Sequence, residues 1–201
     1  MYIIIFFFSK LKNLILLTGF GAYGNFAINL SNEIVKKFSC NYEEFSIVKK
    51  IIPVSWKRSI HTYKKVLFEL ESKPRLVILL GIHSSKMFHL ERIGWNFKIG
   101  GDIDNKFKFG PINVHFKPWF KTTLKLYEIY SVVEDKRKVS ISHFAGYYLC
   151  NYLYYLALHL SNKEYPVIFI HVPQKGDITE SIKKIDILLK AIIKIYFNKE
   201  L

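Results

Sequence analysis

The chain has 201 residues, half of them hydrophobic and 16% aromatic, which suits one α/β domain with a sizeable core and shows no internal repeat. The formal net charge is +14, but the lysines are scattered in pairs such as Lys36-Lys37 and Lys183-Lys184 and the arginines (Arg58, Arg75, Arg92, Arg137) stand far apart, so the clustered guanidinium forks of a specific nucleic-acid binder are missing and no nucleic-acid partner is expected. The two cysteines, Cys40 and Cys150, exclude a disulfide framework and a cysteine-rich zinc site, and they point to a reducing cytoplasm.

Met1 to Phe8 is apolar, but Lys10 and Lys12 interrupt the run well short of the ~20 residues that a membrane-spanning helix needs. The segment also lacks the leading positive charge and small-residue cleavage site of a secretory signal. It is therefore expected to be an N-terminal extension (1–12) ahead of a single α/β domain (13–201), with no membrane partner. Asn13 to Thr18 reads as a buried parallel strand ending at Gly19. The turn Gly19-Phe20-Gly21-Ala22-Tyr23-Gly24 has G-x-G-x-x-G spacing, yet no acidic residue follows at a strand end about 20 residues on. Its two aromatics suit the wall of a substrate pocket better than a phosphate cradle.

Ser31 to Phe38 reads as a helix capped by Ser31, Phe45 to Ile52 as a strand, and Ser55 as the cap of an amphipathic helix reaching Glu71. Leu76 to Leu80 is a third buried strand that ends at Gly81. This β-α-β-α-β order predicts a three-layer α/β/α sandwich with an open, mostly parallel twisted sheet, phosphorylase/hydrolase-like, with ligands beyond the carboxyl ends of the strands. His83, His89 and Glu91 match known metal-ligand spacings poorly, so neither a metal nor a cofactor is expected. Gly100 to Pro111 reads as a surface loop, Lys121 to Tyr130 as a helix, and Val139 to His143 as a strand.

Ser140 to Tyr155 reads as the end of that strand, a tight Ala145-Gly146 turn and the start of a helix (Tyr148 to Leu160) with Cys150 in its first turns. The positive end of a helix dipole favours a thiolate. A half-buried helical cysteine is ordinarily inert filling, so the segment alone leaves both readings open. Pro166 to His171 is a further apolar strand with His171 at its end, and Thr179 to Phe197 is the final helix. Glu91, Cys150 and His171 are each expected at the carboxyl edge of one sheet, the arrangement a Cys-His-acid triad requires.

Several segments then fall in the order of one family: T-G-F at Thr18 to Phe20, Asn29, I-P-V-S at Ile52 to Ser55, L-E-R at Leu90 to Arg92, A-G-Y-Y-L-C-N at Ala145 to Asn151, and F-I-H-V-P at Phe169 to Pro173. By these the chain resembles pyroglutamyl peptidase I (pyrrolidone carboxyl peptidase), a cysteine peptidase family that removes pyroglutamate from peptide N-termini. The resemblance implies Cys150 as nucleophile, His171 as base and Glu91 as third member. It places Phe20, Tyr23 and Asn29 around the pyroglutamate ring. Backbone groups at Ile82 are expected on the lactam edge, and those beside Cys150, at Leu149, on the oxyanion. It further implies a homodimer or homotetramer. Departures are the run Ile99 to Asn105, which lacks the arginine of bacterial-type members, Tyr23 for phenylalanine, Leu30 for proline, and the bulky Tyr147, expected to narrow substrate choice. A catalytically weakened relative that binds peptides or partners through the same cleft is the alternative.

Overall fold

The computed structural model describes residues 13–23, 29–39 and 42–198. The extension 1–12, Gly24 and Cys40 lie outside the described residues. Four strands run parallel: β1 (Asn13–Phe20), β2 (Phe45–Ile52), β3 (Leu76–His83) and β10 (Val167–Pro173). Two short strands, β4 (Phe88–Glu91) and β9 (Val139–Ser142), pair parallel with each other but antiparallel to β10, which gives the order β2-β1-β3-β10-β4-β9.

Alternation along the strands divides the core into two layers. Ile15, Leu17, Ile78, Leu80, Ile168 and Ile170 pack against α1 (Leu30–Lys37), α3 (Leu126–Val132) and α5 (Ile178–Phe197). Leu16, Val77, Leu79 and Phe169 pack on the other face, against α2 (Trp56–Glu69) and α4 (Leu149–Ser161). Strands apolar on both faces are those a covered parallel sheet demands, and the expected α/β/α sandwich is borne out. No helix among the described residues is long and apolar enough to cross a membrane.

Three local expectations are corrected. The cap of α1 is Asn29, whose side chain accepts from the backbone N–H of Ser31 at 3.1 Å. Ser31 instead lies inside the helix, where its hydroxyl donates to Asn29 Oδ1 and accepts from the Phe20 amide at 3.1 Å, stitching α1 to β1. The close approach requires Gly19, because a Cβ there would stand 2.5 Å from the Ser31 carbonyl oxygen. The stretch expected as a loop after Gly100 is a hairpin of β6 (Lys98–Gly101) and β7 (Phe107–Gly110). Finally, Lys121 closes β8 (Trp119–Lys121), paired with β5 (Ile93–Trp95), and the helix begins only at Leu126.

Candidate active site

Cys150 is the second residue of α4, whose first amides have no acceptor within the helix and so present N–H groups and positive potential at the sulfur's end. The helix approaches the sheet over Gly81. A Cβ on Gly81 would sit 2.9 Å from Cys150 Sγ and 2.6 Å from Phe169 Cζ, so the missing side chain makes room for the sulfur. One turn further along α4, Tyr154 donates its hydroxyl to the Glu91 carbonyl at 2.8 Å and ties the helix to β4.

On β10, His171 pairs with Gly81 of β3 on one side and His89 of β4 on the other, while Phe169 pairs with Glu91. Side chains two residues apart share a face, and so do directly opposed residues of antiparallel neighbours. His171 and Glu91 therefore both point to the face that α4 covers. There Nδ1 of His171 and Oε1 of Glu91 are 2.7 Å apart, with the two residues 5% and 0% exposed. Because β4 runs against β10, Glu91 lies two rungs below His171 rather than at the carboxyl edge, and its carboxylate reaches the imidazole from beneath. With Nδ1 held by the carboxylate, the remaining ring nitrogen is left for Cys150, which acts on the imidazole. Burial opposes a charged imidazole, but the hydrogen bonds to Cys150 and Glu91 and the charges of both outweigh it and lift His171 from 6.5 to about 9. Glu91 Oε2 is buried and has no hydrogen-bond partner among the described residues, so the carboxylate's compensation rests on the imidazole alone.

A cavity of about 200 Å³ opens beside the sulfur, and Phe20, Tyr23, Asn29, Ile82, Leu149 and Cys150 all line it. Val54, Tyr148 and Gln174 complete the wall; sequence reasoning passed over these three. Tyr148 stands two residues before Cys150 in the A-G-Y-Y-L-C-N run, and that adjacency was its available signal. Asn29 does so with a side chain already in use, since Nδ2 donates to the Gly21 carbonyl at 3.0 Å and Oδ1 caps α1. Tyr147 does not line the cavity; it packs outward against Phe97 and Phe144 and is 39% exposed. Ile82 belongs to the part of β3 that outruns β1, whose pairing with β3 stops at Leu80.

The hairpin closes the far end. Tyr148 and Tyr23 both donate to the carbonyl of Gly101, at 2.7 and 3.5 Å, and Trp56 packs edge-on against Tyr148. The arginine-free run is fixed to the start of α2. Buried Asp102 accepts from the amides of Trp56, Asp104 and Lys106 at 2.8–3.0 Å, and Asp104 pairs with Arg58 and Ser55. Of the remaining histidines, His83 lies tilted against His171 with ring centroids 5.0 Å apart, and His89 meets His83 edge-on at 4.3 Å. Burial presses both toward the neutral form.

A buried carboxylate, a charged imidazole and a thiol at a helix start can together generate a nucleophile, pass a proton to a leaving group and stabilise an oxyanion. Comparisons with known proteins show the family. A family model described as pyroglutamyl peptidase matches residues 13–189. The pyrrolidone-carboxylate peptidase of Thermosipho africanus is 32% identical over 79% of this chain and 80% of its own length, and that of Thermococcus litoralis 33% identical over 81% and 77%. The solved structure of the pyrrolidone carboxyl peptidase from Thermococcus litoralis superposes with a TM-score of 0.84 at 26% identity, covering 94% of this chain and 97% of that one. Pyroglutamyl peptidase I from Bacillus amyloliquefaciens shares the fold, with a TM-score of 0.82 at 20% identity. The chain belongs to the pyroglutamyl peptidase family of cysteine peptidases.

Proposed function

We propose that this protein hydrolyses the bond after an N-terminal pyroglutamyl residue, with Cys150 as nucleophile, His171 as proton carrier and Glu91 as the group that orients and charges the imidazole. The observation that carries the assignment is the buried Glu91–His171 pair at 2.7 Å, with the imidazole under the influence of Cys150, whose sulfur lines a mainly apolar cavity. A pyroglutamyl ring is a neutral five-membered lactam, so it needs flat walls rather than a counter-ion, and Phe20, Tyr23 and Tyr148 offer them.

With the ring in the cavity, the scissile carbonyl faces Sγ. The sulfur attacks the carbonyl carbon and a C–S bond forms. The oxyanion is held by the backbone N–H groups of Leu149 and Cys150 at the start of α4. Collapse expels the amine, which takes the proton from the His171 imidazolium. The now neutral imidazole then draws a proton from water, hydroxide adds to the thioester, and the thiolate leaves with its imidazolium restored. The unpaired backbone edge of β3 at Ile82 supports a contact to the lactam.

A chromogenic pyroglutamyl amide tests the assignment. Turnover is expected from the native chain and none from Cys150→Ala at an unchanged melting temperature; turnover surviving in that variant sinks the mechanism. Folded native protein that binds the amide without cleaving it would return the weakened-binder reading. A nucleophilic thiol supports residence in the reducing cytoplasm. Exposed Phe107, Phe109 and Val114 support assembly as a homodimer or homotetramer, which light scattering reads directly.

A further inference from the structure

A second cavity, of about 360 Å³, lies between β8 and the segment that enters β10, and Lys117, Trp119, Phe120, Lys121, Lys163 and Tyr165 line it. No residue of β5 does, so the cavity is on the side of β8 that has no neighbouring strand among the described residues. The backbone on that side is open. Thr122 donates to the Arg92 carbonyl at 3.1 Å and Asn96 to the Pro118 carbonyl at 2.8 Å, on either side of the opposed pair Gly94 and Phe120. Hydrogen-bonded pairs alternate with non-bonded ones along an antiparallel ladder, so Trp119 and Lys121 turn their N–H and C=O groups away from β5. Side chains alternate too: Phe120 packs down on Tyr155 and His159 of α4, which leaves those of Trp119 and Lys121 on the opposite face.

The charge around this edge is of one sign. No carboxylate lines the cavity, and none of its three ammonium groups belongs to an ion pair among the described residues. Glu164, next to Lys163 in the chain, is paired with Lys73. The last carbonyls of α4, whose partial negative charge would repel an anion, are occupied: Leu158 accepts from the Ser161 hydroxyl, His159 from the Asn162 amide and Ser161 from the Glu164 amide. Lysines on an edge strand ordinarily blunt it against pairing, and here they repel a basic strand, including a second copy of this chain at a net charge of +14. An acidic strand meets the opposite situation, since the same lysines neutralise it while the open edge takes its backbone. A nucleic acid satisfies the lysines and stacks on Trp119, but its phosphodiester backbone has no N–H groups to give to the exposed carbonyls. We propose that the outer edge of β8 is a docking site for an acidic, extended peptide segment of a partner protein, which adds as a strand beside Trp119 and Lys121 and sets its carboxylates against Lys117, Lys121 and Lys163. Neither the groove nor its ligand depends on what Cys150 does.

Fluorescence anisotropy on the full chain with a labelled, N-acetylated Glu-Val-Glu-Val-Glu peptide tests charge and strand addition separately; the acetyl group prevents cyclisation to a pyroglutamyl substrate. Binding is expected, and Lys121→Gln combined with Lys163→Gln is expected to weaken it by about tenfold or more at an unchanged melting temperature. The peptide's own amides report the strand. N-methylation of every second residue blocks the bonding edge in one of the two alternating sets and not in the other, so one methylated peptide should bind about tenfold more weakly than its counterpart. That comparison leaves the protein untouched and serves should the lysine variant fail to fold. Methylated peptides that bind alike overturn the proposal, as does an unchanged affinity in the folded lysine variant. Equal binding of the basic peptide Lys-Val-Lys-Val-Lys, tighter binding of an oligothymidylate of matched charge, or no binding of the acidic peptide at millimolar concentration overturns it as well.

Discussion

The sulfur of Cys150 and the α-carbon of Gly81 are neighbours across the α4–β3 contact, so close that a methyl group on Gly81 would lie 2.9 Å from Sγ. Gly81→Ala should lower the melting temperature, since the methyl also meets the buried Phe169 ring at 2.6 Å, and in the folded fraction it should turn the thiol away from His171. A displacement of about 1 Å at a reacting atom costs on the order of 10²-fold in rate. Measured kcat/KM should fall by about that factor, with iodoacetamide labelling of Cys150 slowed in parallel.

Glu91 holds His171 through Oε1 and, among the described residues, has nothing else to satisfy its other oxygen. Glu91→Gln removes the charge that favours the imidazolium and presents a donor where an acceptor stood. Loss of kcat between about 10² and 10⁴-fold is expected, by comparison with the orienting carboxylate of serine triads. A steady-state assay on the refolded, monodisperse variant decides it; near-native kcat would remove Glu91 from the mechanism.

The pH profile follows from the raised imidazole. His171 titrates at about 9 in the folded chain against 6.5 unperturbed, so its proton stays bound through neutrality and leaves as the pH climbs past 9. Activity should decline on that alkaline limb, since the leaving amine then lacks its proton donor. Folding stability from the same group is complete below about 6.5 and is lost progressively up to about 9. Glu91→Gln should shift the limb to lower pH, which a buffer series on residual activity or an NMR titration of the imidazole can follow.

Asp102 is buried and satisfies three backbone amides, those of Trp56, Asp104 and Lys106. Asp102→Ala strands them, at a cost of about 1–3 kcal/mol in urea unfolding. Because the same hairpin supports Tyr148 through Gly101, KM should rise while Cys150 remains fully reactive toward small alkylating agents.

Much of this was legible in the chain itself. Runs such as Leu76 to Leu80 and Val167 to Ile170 can only be buried strands, and the sites of Cys150 and His171 followed from where those runs end. The direction of β4 did not, because Phe88 to Glu91 is too short to carry any mark of orientation. Glu91 was thus found by its chemistry and the wrong geometric argument. The hairpin was hidden for a related reason: Phe107 and Phe109 alternate as a strand should, but they face outward. Asn29 and Ser31 are equally good caps on paper, and only the approach of β1 decides between them.

The shared acceptor at Gly101 has a consequence for the length of what can be bound. Two phenol rings propped on one carbonyl wall a cavity of about 200 Å³ that the sulfur also lines, a volume suited to one small ring. A peptide with anything preceding the ring would have to pass through the tyrosines. The hairpin therefore acts as a stop that counts one unit from the chain terminus, and it makes an exopeptidase of a nucleophile that by itself has no sense of where a peptide begins.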